Sequence, residues 1–256
     1  MDGRLNRLLI AFGIAIGLQV LFSVAYAFTS PESMGMVNRM AILLGGNFTN
    51  GGYIQLITFA IFFWGIFEIR EFNKWLNYER KYFGTDLLPT EEHSILGPKE
   101  INSIRVKILE YLNSKKMDGV LAHHFLLNLI KKAATKFRAN HSADAAFTIV
   151  EAQSRINKDK SDSSQSHIRY ILWAIPSVGF VGTVLGISQA LGIANTGDID
   201  LITATLGVAF DTTLLALVLS VFLMYSFHNL QEKTENLHSE IEEYVVDNLI
   251  NKIDVS

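Results

Sequence analysis

The chain has 256 residues, of which 49% are hydrophobic and 18% charged, with a formal net charge of −3 and no cysteine. A soluble domain ordinarily carries about 25% charged residues, so the shortage, with a mean hydropathy of +0.25, points to a membrane protein. Disulfides, thiolate metal sites and cysteine nucleophiles are excluded. A slightly acidic chain without a clustered basic face gives no reason to expect nucleic acid as a partner.

Four apolar blocks follow in chain order. The first, Leu8 to Phe28, is broken only by Gln19 and Ser23. About 20 apolar residues are needed to cross roughly 30 Å of hydrocarbon as a helix, and this block suffices. With Arg4 and Arg7 ahead of it and Ala25-Tyr26-Ala27 near its end, it also fits a signal peptide. Its apolar core exceeds the usual length for one, which favours a retained helix. The second block, Tyr53 to Phe67, is short and has to borrow neighbours, either Asn50-Gly51-Gly52 or the Ile69 region. The third, Tyr170 to Ala194, and the fourth, Leu201 to Phe227, are long enough unaided.

Basic residues give these blocks a direction. Of 22 Lys and Arg, 17 lie between Arg70 and Arg169, while the segment 29–52 holds only Arg39 and the turn 195–200 holds none. By the positive-inside rule the 70–169 insert and both termini are cytoplasmic. The expected organisation is therefore 1–69, two transmembrane helices with an external loop; 70–169, a cytoplasmic helical insert; 170–227, a transmembrane hairpin; and 228–256, a cytoplasmic amphipathic tail. The fold class is an all-α membrane protein with four transmembrane helices and long helical extensions.

Within the insert, Ile66, Ile69, Phe72, Trp75 or Leu76 and Tyr82 keep helical spacing, so the second helix continues beyond its apolar block. Pro89 and Gly97-Pro98 interrupt the pattern. Further helical stretches follow over Ile101 to Leu112 and from Leu121 through Phe125, Leu129 and Ile130, with Lys131-Lys132 near the end. The run Asn157 to Ser166 reads as a polar hinge. The tail carries seven acidic and two basic residues, the insert 12 and 17. That contrast fits a tail packed on the insert of the same or a neighbouring subunit; a solvated surface helix fits as well.

The transmembrane hairpin carries the unusual residues. Gly182, Gly186 and Ala190 form a row at four-residue spacing, which lets helices approach closely in lipid. Pro176 places a kink near the cytoplasmic end. Asp211 lies ten residues past Leu201, about 15 Å along a helix, and an ionisable group at that depth is by default a functional candidate. A protonated carboxyl bonded between helices is the structural alternative. Thr183, 11 residues before Ala194, and Thr213, 12 after Leu201, fall level across an antiparallel turn. Hydroxyls both donate and accept, although back-bonding to their own helix is their commoner use. With Asp211, Thr205, Thr212, Ser188 and Gln189 they make a polar seam between the third and fourth helices.

The segment Ile175-Pro176-Ser177-Val178-Gly179-Phe180-Val181-Gly182-Thr183-Val184-Leu185-Gly186 resembles the P-x-x-G-x-x-G-T-x-x-G helix of the MotA/TolQ/ExbB proton channel family, and Ala209 to Leu217 resembles the helix after it. The specific match covers residues 175–225. The resemblance implies a homopentamer in a bacterial inner membrane, around a dimer of a single-helix MotB/TolR/ExbD-like protein that carries an essential aspartate. It further implies that H+ or Na+ flow powers rotation and work elsewhere, with no cofactor. Carried over by residue, Thr183 and Thr213 face that aspartate, and Pro176, Gly179, Gly182 and Gly186 form the kinked, closely packed helix. Three positions depart from the pattern: Ala216 stands for a glycine, Val208 for the glutamate of ExbB-like members, and Asp211 for an apolar residue.

Two other function classes remain open to the sequence. One is a non-conducting scaffold or sensor acting through the insert. The other is a membrane enzyme, for which His93, His123, His124 and His141 supply no HExxH pair and no nucleophile elbow is present. Asp198-Ile199-Asp200 could touch a cation or simply form a solvated turn.

Overall fold

The computed structural model describes residues 2–29, 31–85, 87–91, 93–114 and 124–254, and Leu121 and His123 lie outside them. Among the described residues seven α-helices follow in order: α1 (Asp2–Phe28), α2 (Pro31–Leu43), α3 (Tyr53–Arg80), α4 (Pro98–Ser114), α5 (Phe125–Asn140), α6 (Ala143–Ile193) and α7 (Ile199–Asn248). Among the described residues the only extended pairing is an isolated parallel bridge between Leu96 and Ile253. Four helices, those containing the four apolar blocks, are long and apolar enough to cross a membrane. The chain is thus an all-helical, multi-pass membrane protein.

It divides into two compact units, residues 1–71 with 167–228 and residues 72–166 with 229–256. In the first, α1, α3 and α7 meet at Ala15, Phe59, Ala60 and Leu215, with Phe22 and Phe63 packed alongside. Gly65 gives α3 its closest approach, since a Cβ there would lie 2.6 Å from Leu223 and 3.0 Å from Ile171. At one end of α1, Arg7 grips Glu68 of α3 through two hydrogen bonds of 3.0 and 3.1 Å. Apolar side chains on the outer faces, such as Leu9, Val20, Phe180 and Phe222, are exposed, as expected of helices whose solvent is lipid.

Two expectations need correction. Residues 29–52 are not merely a loop: α2 occupies Pro31–Leu43 and a short π-helical turn spans Phe48–Gly52. Proline suits the first turn of a helix because its missing N–H is unpaired there in any case. The apolar spacing of α2 is weak, and among its described side chains only Asn38 and Ala41 are buried. Nor is 157–166 a hinge. It lies inside α6, which is helical without interruption from Ala143 to Ile193. The run holds no proline or glycine, and its Asn157, Ser161 and Gln165 fall on one buried stripe of the helix.

The second unit is a soluble-type helical core. Ile101, Ile104 and Ile108 of α4 pack with the apolar face of α5, where Phe125 to Leu127, Leu129 and Ile130 are all buried. Helix α5 continues past Lys131-Lys132 to Asn140 and ends on His141 in the left-handed conformation, φ 49°. The tail belongs to this unit: Arg80 bonds Glu240 at 2.9 Å, Tyr244 meets Phe83 edge to face, and Leu230, Leu237, Ile241 and Val245 are buried. It is therefore a packed helix and not a solvated one. Lys252 then donates to the carbonyls of Pro89 and Glu91, and main-chain bonds join Leu96 to Lys252 and Asp254.

One ionisable group in this core has a marked energetic consequence. Glu79 is wholly buried, twelve residues beyond the apolar block of α3. Its Oε2 accepts the N–H groups of Phe125 and Leu126 at 3.1 and 3.5 Å, at the start of α5, where unpaired amides favour an acceptor. Its Oε1 has no hydrogen-bond partner. Burial pushes the carboxyl pKa up to about 8, against the opposing pull of the two amides. The folded protein then holds this proton up to about pH 8 while the unfolded chain releases it near 4.5. Stability from this group is full below that lower value and is lost as pH rises to about 8. Glu79→Gln keeps an acceptor for the amides and removes the titration. Thermal melts in detergent from pH 5 to 9 are expected to show the variant gaining on the wild type as pH rises; parallel curves would refute this.

Candidate functional site

Helices α6 and α7 are joined by a short turn in which Gly197 takes φ +71°, a conformation that favours glycine. Asp198 is exposed in this turn. Its carboxylate accepts the Leu201 N–H at 3.0 Å and caps α7. From this turn the helices run back along each other in close contact. A Cβ on Gly186 would fall 2.4 Å from the Ala209 Cβ, one on Gly182 the same distance from the Thr212 hydroxyl, and one on Gly179 2.5 Å from the Ala216 Cβ. Each of the three glycines thus meets a small residue of α7, and Ala216 fits where a larger side chain would collide. Pro176 lies inside α6 at the same end of the contact, and the helix continues through it.

This contact brings the threonines together as their level spacing implies. The hydroxyls of Thr183 and Thr213 are hydrogen-bonded to each other. The Thr183 hydroxyl also lies 3.1 Å from the Ala209 carbonyl oxygen and that of Thr213 2.9 Å from the Gly179 carbonyl oxygen, so two protons are shared among three contacts and one hydroxyl donates to the other while its neighbour donates to a carbonyl. Thr212 is buried, with its hydroxyl 2.7 Å from the carbonyl of Ala209 in its own helix and 3.4 Å from that of Gly179. Two hydroxyls and two carbonyls therefore form a small polar patch inside an apolar hairpin, and both Thr183 and Thr213 are only half-buried. The crevice beside it, lined by Gly182, Gly186, Thr205 and Thr212 among others, measures about 10 Å³. That is about the least volume that admits one water.

Of the other members of the expected seam, Thr205 is half-buried at the same crevice and bonds back to Leu201 at 2.8 Å, the ordinary habit of a helical threonine. Ser188 and Gln189 are exposed. Asp211 is two residues from Thr213, about 200° around the helix, and so turns to a different face. Nor does it stand alone: Arg39 of α2 grips it with both terminal nitrogens, Nη2 lying 2.6 Å from Oδ1. The Asp211 side chain is 3% exposed and that of Arg39 55%. A forked guanidinium–carboxylate pair neutralises the acid. The sequence offered no sign of this partner, because Arg39 is 172 residues away in a segment expected to be a loop.

His124 is hydrogen-bonded to Tyr82 at 2.9 Å, and among the described residues no three His, Asp or Glu side chains are grouped to hold a metal ion. Burial pushes the Tyr82 phenol upward and away from ionisation.

Fold and site together define a multi-pass membrane protein organised on a glycine-packed helix hairpin with hydroxyls at its centre. Residues 121–243 match the model of the MotA/TolQ/ExbB proton channel family. Over that region, from the approach to α5 through α6 and most of α7, the chain is similar to this family, and the match contains both threonines, Asp211 and the three glycines. No curated protein and no solved structure gives a significant match.

Two outcomes follow. Gly186→Val should overpack the hairpin by about 1–3 kcal/mol, lowering the melting temperature in detergent, whereas Gly192→Ala, which meets nothing within 4 Å, should not. Arg39→Ala strands a buried carboxylate and should destabilise by about 1–3 kcal/mol; Asp211→Asn should cost less. The double variant should recover part of the loss, and strictly additive effects would show that the pair is not coupled.

Proposed function

We propose that this protein is the stator subunit of an ion-motive-force-driven membrane motor, conducting H+ or Na+ together with a partner and turning the flow into mechanical work. The observation that carries this reading is the Thr183–Thr213 couple, two hydroxyls bonded to each other and to opposing carbonyls, half-buried at one level of the hairpin. On this reading the ion path runs along the surface of the hairpin, between this chain and another helix. A single-helix partner carrying an aspartate, of the kind the family resemblance implies, would present its carboxyl to these hydroxyls, which can both donate to it and accept from it.

On this reading five copies surround two copies of the partner, in a bacterial inner membrane with both termini cytoplasmic. The exposed apolar faces of α6 and α7 are consistent with helix neighbours, and the concentration of 17 basic residues on 70–169 supports the orientation. No cofactor is required, since the ion itself is the cargo. Asp211, neutralised by Arg39, is assigned a structural part in this scheme instead of an ion-carrying one.

Thr183→Val and Thr213→Val keep shape and remove the hydroxyl. Each should abolish ion flux through the complex isolated from native membranes and reconstituted in liposomes, while assembly persists. Wild-type flux in both variants would rule out these positions. A complex that carries no flux even with the wild-type chain would favour a non-conducting scaffold working through the insert.

A further inference from the structure

Beyond the apolar stretch of α6, in the second unit, lies a buried column that an ordinary helix pair would fill with leucine or alanine. Gln153, Asn157, Ser161 and Gln165 follow one another at four-residue spacing on α6, and all are at most 4% exposed. Opposite them on α7 are Thr234 and His238, again four apart and each 4% exposed. They are linked across the helices: Ser161 Oγ lies 2.8 Å from His238 Nε2, and Gln165 Nε2 donates to Thr234 Oγ1 at 3.2 Å. Along α6, Gln153 donates to Asn157 at 2.7 Å.

Burying so many polar groups is costly unless every one is hydrogen-bonded, and this column is not complete within the chain. Gln165 Oε1 and Asn157 Nδ2 are buried without a partner. A cleft of about 470 Å³ opens at this place, lined by Ser161, Gln165, Thr234 and His238, with Lys158 and Glu235 among the residues around it. At about 30 Å³ per molecule it has room for a chain of waters, and its walls offer them both donors and acceptors.

We infer that this cleft holds a water chain that, with Ser161, His238, Gln165 and Thr234, relays protons along the α6–α7 pair. The inference rests on the ion-conducting reading above. The groups here include an imidazole nitrogen and hydroxyls that donate and accept in turn, with the carboxylates of Asp159, Asp162 and Glu235 around the cleft. Burial, with the Lys158 charge adding to it, lowers the His238 pKa to about 4, so at neutral pH the ring carries one N–H and one free nitrogen. Each hop breaks one O–H or N–H bond and makes another. One proton enters, one leaves, and no other atom changes place.

The chain has no cysteine, so single cysteines report directly on hydration. In native membrane vesicles, Ser161→Cys and Gln165→Cys should react with a small water-soluble methanethiosulfonate within about tenfold of the rate at exposed Lys160→Cys, since the reactive thiolate needs access and water. Leu237→Cys, from the dry side of the same unit, should be at least about a hundredfold slower. Reaction at positions 161 and 165 as slow as at 237 would overturn the inference. Proton flux in liposomes holding the isolated complex supplies the second reading. Ser161→Ala and His238→Gln should each lower it about tenfold, and Thr183→Val should abolish it. Full flux in both Ser161→Ala and His238→Gln with none in Thr183→Val overturns the relay and leaves the conducting function standing. Full flux in Thr183→Val and Thr213→Val removes that function's assigned path, and the relay's basis with it.

Discussion

Everything distinctive about this protein depends on how closely α6 and α7 approach each other. Between ordinary side chains the two backbones would be held apart, and no hydroxyl on one helix could reach a carbonyl on the other. Gly179, Gly182 and Gly186 remove the Cβ atoms that would collide with Ala216, Thr212 and Ala209. In lipid no hydrophobic force holds helices together, so this packing and the hydrogen bonds it permits must carry the hairpin. The bonds from Thr183 to Ala209 and from Thr213 to Gly179 follow from the glycines; they are not a separate device. Packing and polar chemistry thus share one set of positions, and a change at a glycine reaches the hydroxyls without touching them.

Both units bury polar groups that are not fully paired. In the first, Asp211 is paired with a guanidinium and the threonines bond to carbonyls, yet Gln19 and Gln55 each keep an unpaired Oε1 and Trp64 an unpaired Nε1. In the second, Glu79 keeps an unpaired oxygen and the α6 column keeps an unpaired amide nitrogen and carbonyl oxygen.

What could be read from the sequence was whatever depended on local spacing. Apolar length located all four crossing helices, and glycine spacing with two threonines at matching depth located the hairpin contact, because an antiparallel pair across a short turn has almost no freedom of register. What could not be read depended on distant partners or on the absence of a breaker. Arg39 meets Asp211 only because α2 is a helix, and its weak periodicity hid that. The run 157–166 looked like a hinge because polar composition was weighed above the lack of glycine and proline, and because a buried polar stripe imitates an exposed one in sequence. The same substitution of a polar for an apolar stripe concealed the α6 column.

The clasp at the end of the chain bears on the order in which the protein is built. Leu96 pairs with Ile253, and Lys252 ties down the carbonyls of Pro89 and Glu91, so the second unit is closed by residues made more than 150 positions later. Its helices α4 and α5 can pack on each other as they leave the ribosome, but the rest of the unit waits through the synthesis of a whole transmembrane hairpin before the tail arrives to cover it. Domains usually fold as units from the N-terminus during synthesis; here insertion of the hairpin into the membrane must precede completion of the soluble-type core, which makes the last helix the timer of assembly.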